Sequence, residues 1–255
     1  MRAAAAVLVL SLIASPATAI VVRHDVDPRA YHASQTDYPE VFGLLRTRRG
    51  FWDCPATLVA PHWAITAGHC SEAPRIAEAM QGGSGYAVEI AGSTNTIDRV
   101  IANPSGEDVA LLHLSSAVVN VAPVGLYVRS DEVGQIVEMV GWGDTGDGRT
   151  GPTAADGLFR RAANRVDQAE GAMLSWTFSD PGAPETDAVS LEGISGPGDS
   201  GGPAFIRTNG GLLLAGISSG QDAMGHARGT YGVREYFVRV SAIDSWIEQV
   251  VSVPG

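Results

Sequence analysis

Three short stretches carry residue types that could do chemistry together: Thr66-Ala67-Gly68-His69-Cys70, Asp108 opening the apolar run to Leu114, and Gly198-Asp199-Ser200-Gly201-Gly202-Pro203. A serine hydroxyl is a weak nucleophile at neutral pH and needs an imidazole beside it to take its proton as the new C–O bond forms. Ser200 and His69 would be that pair. A carboxylate on the other ring nitrogen sets the tautomer and stabilises the imidazolium, and Asp108 is the candidate for it. The glycine-rich turn has its own reason. The N–H groups of Gly198 and Ser200 can both point at a developing oxyanion only where the backbone turns tightly, and each such donor is worth about 2.7 to 4 kcal/mol of transition-state stabilisation. Taken singly each stretch is weak, since Asp-Ser-Gly is a common turn and an Asp before a strand is often only a cap. A zinc reading of Cys54, His69 and Cys70 lacks a fourth ligand at a usual spacing, and Glu78 with Glu89 makes too common a pair to assign calcium, so no metal and no cofactor is expected.

The elements that must position these residues are short strands. The chain has 255 residues, 45% apolar and 18% charged, enough for a large core and unlike a disordered polypeptide. Its 28 acidic residues face 17 basic ones, all arginine, for a net charge of -11. That balance excludes a basic nucleic-acid footprint and disfavours an anionic membrane surface. Strand-like runs span Val41 to Leu45, Ala56 to Ala60, Trp63 to Ala67, Tyr86 to Ile90, Asp108 to Leu114, Gln135 to Gly141, Ala172 to Phe178, Leu212 to Ile217 and Tyr236 to Val240. Each is bounded by Gly, Pro, Asn, Asp or Ser, and the 31 glycines and 14 prolines are spread along the chain. This spacing predicts an all-β sandwich or barrel. At the end, Ser241 with Asp244 three residues on, then Ile243, Trp246, Ile247, Val250 and Val251, predicts a terminal helix. No repeat or heptad pattern is present. Residues 115–127 are the expected connection between two halves.

Residues 1–19 have Arg2, an apolar run from Ala3 to Ala14 and a small-residue end at Ala17-Thr18-Ala19, the layout of a secretory signal peptide. The run is too short to span a membrane, so an exported protein, extracellular or periplasmic, is expected without a membrane partner. In an oxidising compartment Cys54 and Cys70 default to one disulfide, with two free thiols as the alternative.

Together, the His, Asp and Ser stretches in this order resemble the chymotrypsin/trypsin family of serine peptidases, whose triad order differs from those on other folds. The likeness runs from Ile20 to the terminal helix. It implies two six-stranded antiparallel β-barrels and a C-terminal helix, divided here as 20–120 and 121–255, with the active site between them. The resemblance also implies a disulfide from Cys54 to the cysteine after the catalytic His, here Cys70. It implies an activating ion pair between the α-ammonium of a mature N-terminal Ile20 and Asp199. The signal-peptide cut falls directly before Ile20, so export itself would create that terminus. The segment Ile217-Ser218-Ser219-Gly220 resembles the pocket wall that pairs with substrate backbone, with Ser218 expected to hydrogen-bond Asp108 and Ser219 standing where tryptophan is usual. Ile194 replaces the acid of a trypsin-type pocket floor. Glu235 falls where a wall glycine is usual, and its carboxylate could receive a basic side chain, occlude the pocket or point to solvent. Gly141-Trp142-Gly143 matches a stretch near the cleft with an expected structural role. The expected function is therefore an exported, monomeric serine endopeptidase acting on a polypeptide substrate through an acyl-enzyme, with a proteinaceous inhibitor as a further partner class. The rival is a catalytically silent protease-like binding protein.

Overall fold

The structure, a computed structural model, describes residues 20–48 and 50–252, and the expected signal peptide lies outside the described residues. β1 (Ile20–Val22) opens the fold and is buried along its whole length. Two short 3-10 turns follow, Pro28–Tyr31 and Gln35–Asp37, begun by Asp27 and Ser34 whose side chains accept from the N–H two residues on.

The first sheet consists of β2 (Val41–Arg46), β3 (Trp52–Ala60), β4 (Trp63–Thr66), β5 (Tyr86–Ile90), β6 (Ser93–Ala102) and β7 (Ala110–Leu114). It is antiparallel throughout in the order β2-β3-β4-β7-β6-β5. With β2 packed back on β5, it makes a nearly closed barrel. The alternation of side chains along a strand explains why β4 and β7 read as continuous apolar runs. Ala64, Leu112 and Leu114 fill the barrel, while Trp63, Ile65 and Leu111 face the second half of the molecule. Between β4 and β5 lie α1 (Gly68–Ser71) and α2 (Pro74–Gln81), the latter started by a proline at a position where a missing N–H costs nothing.

The second half holds β8 (Gly125–Leu126), β9 (Ile136–Gly141), β10 (Thr145–Asp147), β11 (Gly151–Ala154), β12 (Arg160–Arg165), β13 (Gln168–Glu170), β14 (Met173–Thr177), β15 (Gly193–Ile194), β16 (Pro203–Thr208), β17 (Gly211–Asp222) and β18 (Arg234–Arg239). One sheet runs β12-β9-β16-β17-β18-β14-β13 with β8 beside β17, and a four-stranded sheet runs β11-β10-β1-β15. The long sheet is the second barrel-like unit, a half-barrel whose end strands β12 and β13 follow each other in the chain, so the two-barrel expectation holds. The twelve-residue β17 shifts register between Ser218 and Gly220, and β1 inserts between β10 and β15, carrying the N-terminal strand into the second half.

α3 (Val240–Val251) closes the chain and packs on β17 and β8. Its Val240, Ile243 and Ile247 join the cluster shared by both halves with Trp63, Ile65, Leu111, Val140 and Phe205. Its start is tied down by buried Glu132, which accepts from Arg239 Nε (2.9 Å), Arg239 Nη2 (2.7 Å) and Ser241 Oγ (2.5 Å).

Candidate active site

His69 sits on α1 directly after β4, and Asp108 two residues before β7, its hydrogen-bonded neighbour. That adjacency places the Asp108 carboxylate on His69 twice. Oδ2 lies 2.8 Å from ring Nδ1, and Oδ1 accepts the His69 backbone N–H at 2.9 Å. A Cβ on Gly68 would stand 3.1 Å from Asp108 Oδ1, so the small residue before His69 lets the carboxylate close in. Because a carboxylate accepts and does not donate, Nδ1 carries the proton and Nε2 is left with its lone pair.

Burial alone would raise the Asp108 pKa, but the His69 ring, the His69 N–H and the Ser219 hydroxyl outweigh it and hold the carboxyl down at about 2. The same hydrogen bond raises the His69 pKa above the ordinary 6.5, against some opposing desolvation. Ser219 Oγ donates to Asp108 Oδ2 at 2.8 Å. The expected donor, Ser218, is one residue out of place. Its hydroxyl lies 3.2 Å from that of Ser195 instead, because the register shift in β17 turns Ser219 toward Asp108.

Ser200 comes from the opposite half, and glycines let its turn dock. Gly201 has φ +79, and a Cβ there would stand 2.2 Å from Thr66 Oγ1 and 2.8 Å from the Ala67 nitrogen, at the entrance to α1. The turn is fixed by Gly201 N–H to Ser218 O (2.8 Å), Ser218 N–H to Gly202 O (2.9 Å) and Cys54 N–H to Gly198 O (2.9 Å). Gly198 has φ +100. Among the described residues neither the Gly198 nor the Ser200 N–H has a hydrogen-bond partner, and Ser200 Oγ and His69 Nε2 are likewise unengaged. Cys54 and Cys70 form a disulfide with 6.0 Å between Cα atoms. Their sulfurs and a His69 nitrogen lie within 4.8 Å of one another, but a bonded pair of sulfurs offers no thiolate to zinc.

Asp199 is buried behind Ser200. Its carboxylate accepts from Gly143 N (2.7 Å) and Gly196 N (2.9 Å), and among the described residues it has no cationic partner. Burial pushes its pKa up to about 7, with Asp144 and Asp53 adding to the shift. The Gly141-Trp142-Gly143 stretch owes its glycines to this carboxylate. A Cβ on Gly141 would stand 2.0 Å from Asp199 Oδ1, and one on Gly143 would stand 2.7 Å from its carboxyl carbon. Ile20 is 1% exposed, pairs with Thr145 and takes a hydrogen bond from the Thr145 hydroxyl on its carbonyl (2.6 Å), two residues along from Gly143.

The pocket residues divide. Ile194 is fully buried in β15, packed with Val21, Phe178 and Val233, and presents no surface. Glu235 on β18 is 1% exposed. Its Oε1 accepts from the Ser195 N–H (3.0 Å) and the Ser195 hydroxyl, and its Oε2 from Trp176 Nε1 (3.1 Å). Burial raises its pKa to about 8 despite these donors. Sequence reasoning missed Ser195, Trp176 and Gln221, whose Nε2 donates to Ser195 O at 2.6 Å. The strand pairings of Glu235 with Gln221 and with Trp176 bring these groups together.

The Asp108-bound His69 ring thus comes from the first sheet and the glycine-framed Ser200 turn from the second half, docked where Gly201 meets Thr66 and Ala67. A model of the trypsin family matches residues 30–247, and the chain belongs to that family of serine-type endopeptidases. It is also similar to a protein described as an uncharacterized peptidase from Corynebacterium glutamicum (strain R), 29% identical over 210 residues. That alignment takes in 80% of this chain and 66% of the relative, so the chain spans just under two-thirds of that protein's length.

Proposed function

We propose that the chain is an exported endopeptidase in which Ser200 attacks the scissile carbonyl, His69 takes and returns the proton, and Asp108 orients and stabilises the imidazolium. The N–H groups of Gly198 and Ser200 hold the oxyanion, and water hydrolyses the acyl-enzyme. The observation that carries this reading is the doubly held His69–Asp108 pair together with two unengaged N–H groups at the Ser200 turn. Glu235, buried behind Ser195 and bound to its N–H and hydroxyl, lies beneath the pocket for the residue before the cut and sets its charge through Ser195. The enzyme acts as a monomer on polypeptides and is open to a proteinaceous inhibitor.

Activation follows from Asp199. A buried carboxylate with two N–H donors and no cation is a receptor for one, and breaking a buried ion pair by removing a single partner costs about 3 to 5 kcal/mol. Signal cleavage before Ile20 would supply the ammonium at the strand that pairs beside Gly143, with no separate zymogen step. The testing experiment is intact-mass labelling of the form starting at Ile20 with a fluorophosphonate, beside Ser200→Ala. One adduct on the parent and none on the variant is expected. A folded parent that takes no adduct would leave a protease-like binding protein as the better reading.

A further inference from the structure

A fourth carboxylate lies beside the Ser200 turn and has no part in the chemistry above. Asp53 precedes Cys54 on β3, and Cys54 has φ +52, a left-handed backbone that side chains other than glycine rarely adopt. The kink presses Asp53 toward the Ser200 turn. Asp53 Oδ1 stands 3.4 Å from where a Cβ on Gly198 would be, and Gly198 O takes the Cys54 N–H. The side chain is half-buried, and among the described residues it has no ion-pair partner. Arg46 on the neighbouring strand is turned onto the Trp52 ring at 3.8 Å and the Gly50 carbonyl. Burial pushes the Asp53 pKa up, Asp144 adds to this, and the Cys54 N–H and His69 oppose it.

The flank of Ser200 on which Asp53 lies decides what it meets. The edge of β17 from Ser218 to Gln221, with Ser195 and Glu235 behind it, borders one side of the turn, and β3 with the Cys54–Cys70 bridge borders the other. On the proposed reading, a peptide whose acyl part pairs with the β17 edge would carry its leaving part to the β3 side of the turn. We infer that Asp53 forms an anionic subsite for the leaving side of the substrate and selects peptides with an arginine or lysine within two residues after the cut. A cationic side chain there would also shield the oxyanion turn from a carboxylate that otherwise opposes negative charge beside Gly198. An acidic side chain would meet like charge in a partly desolvated site, which is strongly unfavourable.

This inference rests on the reading that Ser200 and His69 cut peptide bonds. The test uses the form starting at Ile20 and internally quenched peptides that differ only by Arg or Glu at the first and second positions after the cut. On the parent, kcat/KM is expected to favour Arg over Glu by about tenfold or more. Asp53→Asn should collapse that ratio toward one, and Asp53→Glu should preserve it. The ratio does not depend on how much of each preparation is active, so a loss of folded enzyme cannot imitate the result. A parent that labels with fluorophosphonate and cleaves without the preference overturns the subsite while leaving the triad reading intact. An Asp53→Asn variant that loses activity but keeps the ratio assigns the residue a structural role and overturns the subsite too. A parent that neither labels nor cleaves overturns both.

Discussion

The two flanks of the cleft treat their carboxylates in opposite ways. On the flank built from the first sheet, Asp108 receives three hydrogen bonds, two of them from His69, and is held ionised at about 2. On the flank built from the second half, Asp199 and Glu235 also receive well-placed donors, yet their pKa values rise to about 7 and 8. Hydrogen-bond count is therefore not what separates them. Asp108 is partly open to solvent and has a protonatable ring beside it, while the other two are almost wholly buried with only neutral donors and no cation among the described residues. Neutral donors offset only part of the cost of burying a charge. One flank is complete in that His69 supplies its positive charge, and the other is incomplete in that Asp199 and Glu235 have no cationic partner among the described residues.

Four measurements would break or sharpen this contrast. The largest effect is expected on the complete flank. Asp108→Asn removes the fixed tautomer and should lower kcat by about 10^4-fold, the usual cost of neutralising the carboxylate of such a triad; stopped-flow or long-time peptide hydrolysis measures it. A loss under tenfold would mean that His69 is not the base.

Next is the incomplete flank. Extending the N-terminus by one residue moves the ammonium away from Asp199 and, at about 3 to 5 kcal/mol for a broken buried pair, should slow fluorophosphonate labelling by a hundredfold or more. Asp199→Asn should do the same, and the two changes combined should cost little more than either. Equal labelling of extended and unextended forms would remove the terminus from the mechanism.

The third effect is roughly tenfold. Ser219→Ala deletes a hydrogen bond to a charged group, worth about 1.5 to 3 kcal/mol, and should lower kcat/KM by about tenfold or somewhat more. It should also raise the Asp108 pKa. A comparable loss in Ser218→Ala, with none in Ser219→Ala, would reverse the register described for β17.

The smallest effects are in pH dependence. His69 must be neutral to accept a proton, so the acid limb of kcat/KM should lie above the ordinary 6.5. At high pH, activity should fall as the terminal amine, with a reference pKa of about 8, loses its charge. For Glu235 the folded pKa of about 8 exceeds the ordinary 4.5. The folded state thus holds the proton more tightly than the unfolded chain, and this contribution to stability, full below about 4.5, is lost as pH rises toward 8. Thermal melts of the parent and Glu235→Gln across that range should show a shallower decline in the variant. Parallel declines would place the titration elsewhere.

Much of the first sheet was legible. Val41 to Leu45, Trp63 to Ala67, Tyr86 to Ile90 and Asp108 to Leu114 all coincide with strands to within two residues, because their apolar side chains are buried on one or both faces. The terminal helix was as clear. The strands that escaped notice carry weak patterns. Arg160–Arg165 does alternate, but its inward residues are Arg160, Ala162 and Asn164, and Arg160 is buried through its contacts with Asp156 and His32. Ser93–Ala102 is largely polar and partly exposed, and Pro203–Thr208 opens on a proline that argues against a central strand. α2 was missed because only Ile76 on it is buried.

By itself the sequence determined the residue types, their order and the glycines around Ser200, because reactive groups and tight turns leave local signatures that a short window can show. Tertiary structure alone decided which serine reaches Asp108, that Glu235 meets Ser195 and Trp176, that Asp53 faces the Ser200 turn, and that β1 belongs to the second half. Each of those outcomes depends on a register shift or a pairing between segments tens of residues apart, and a one-residue slip in a strand sends a side chain to the opposite face.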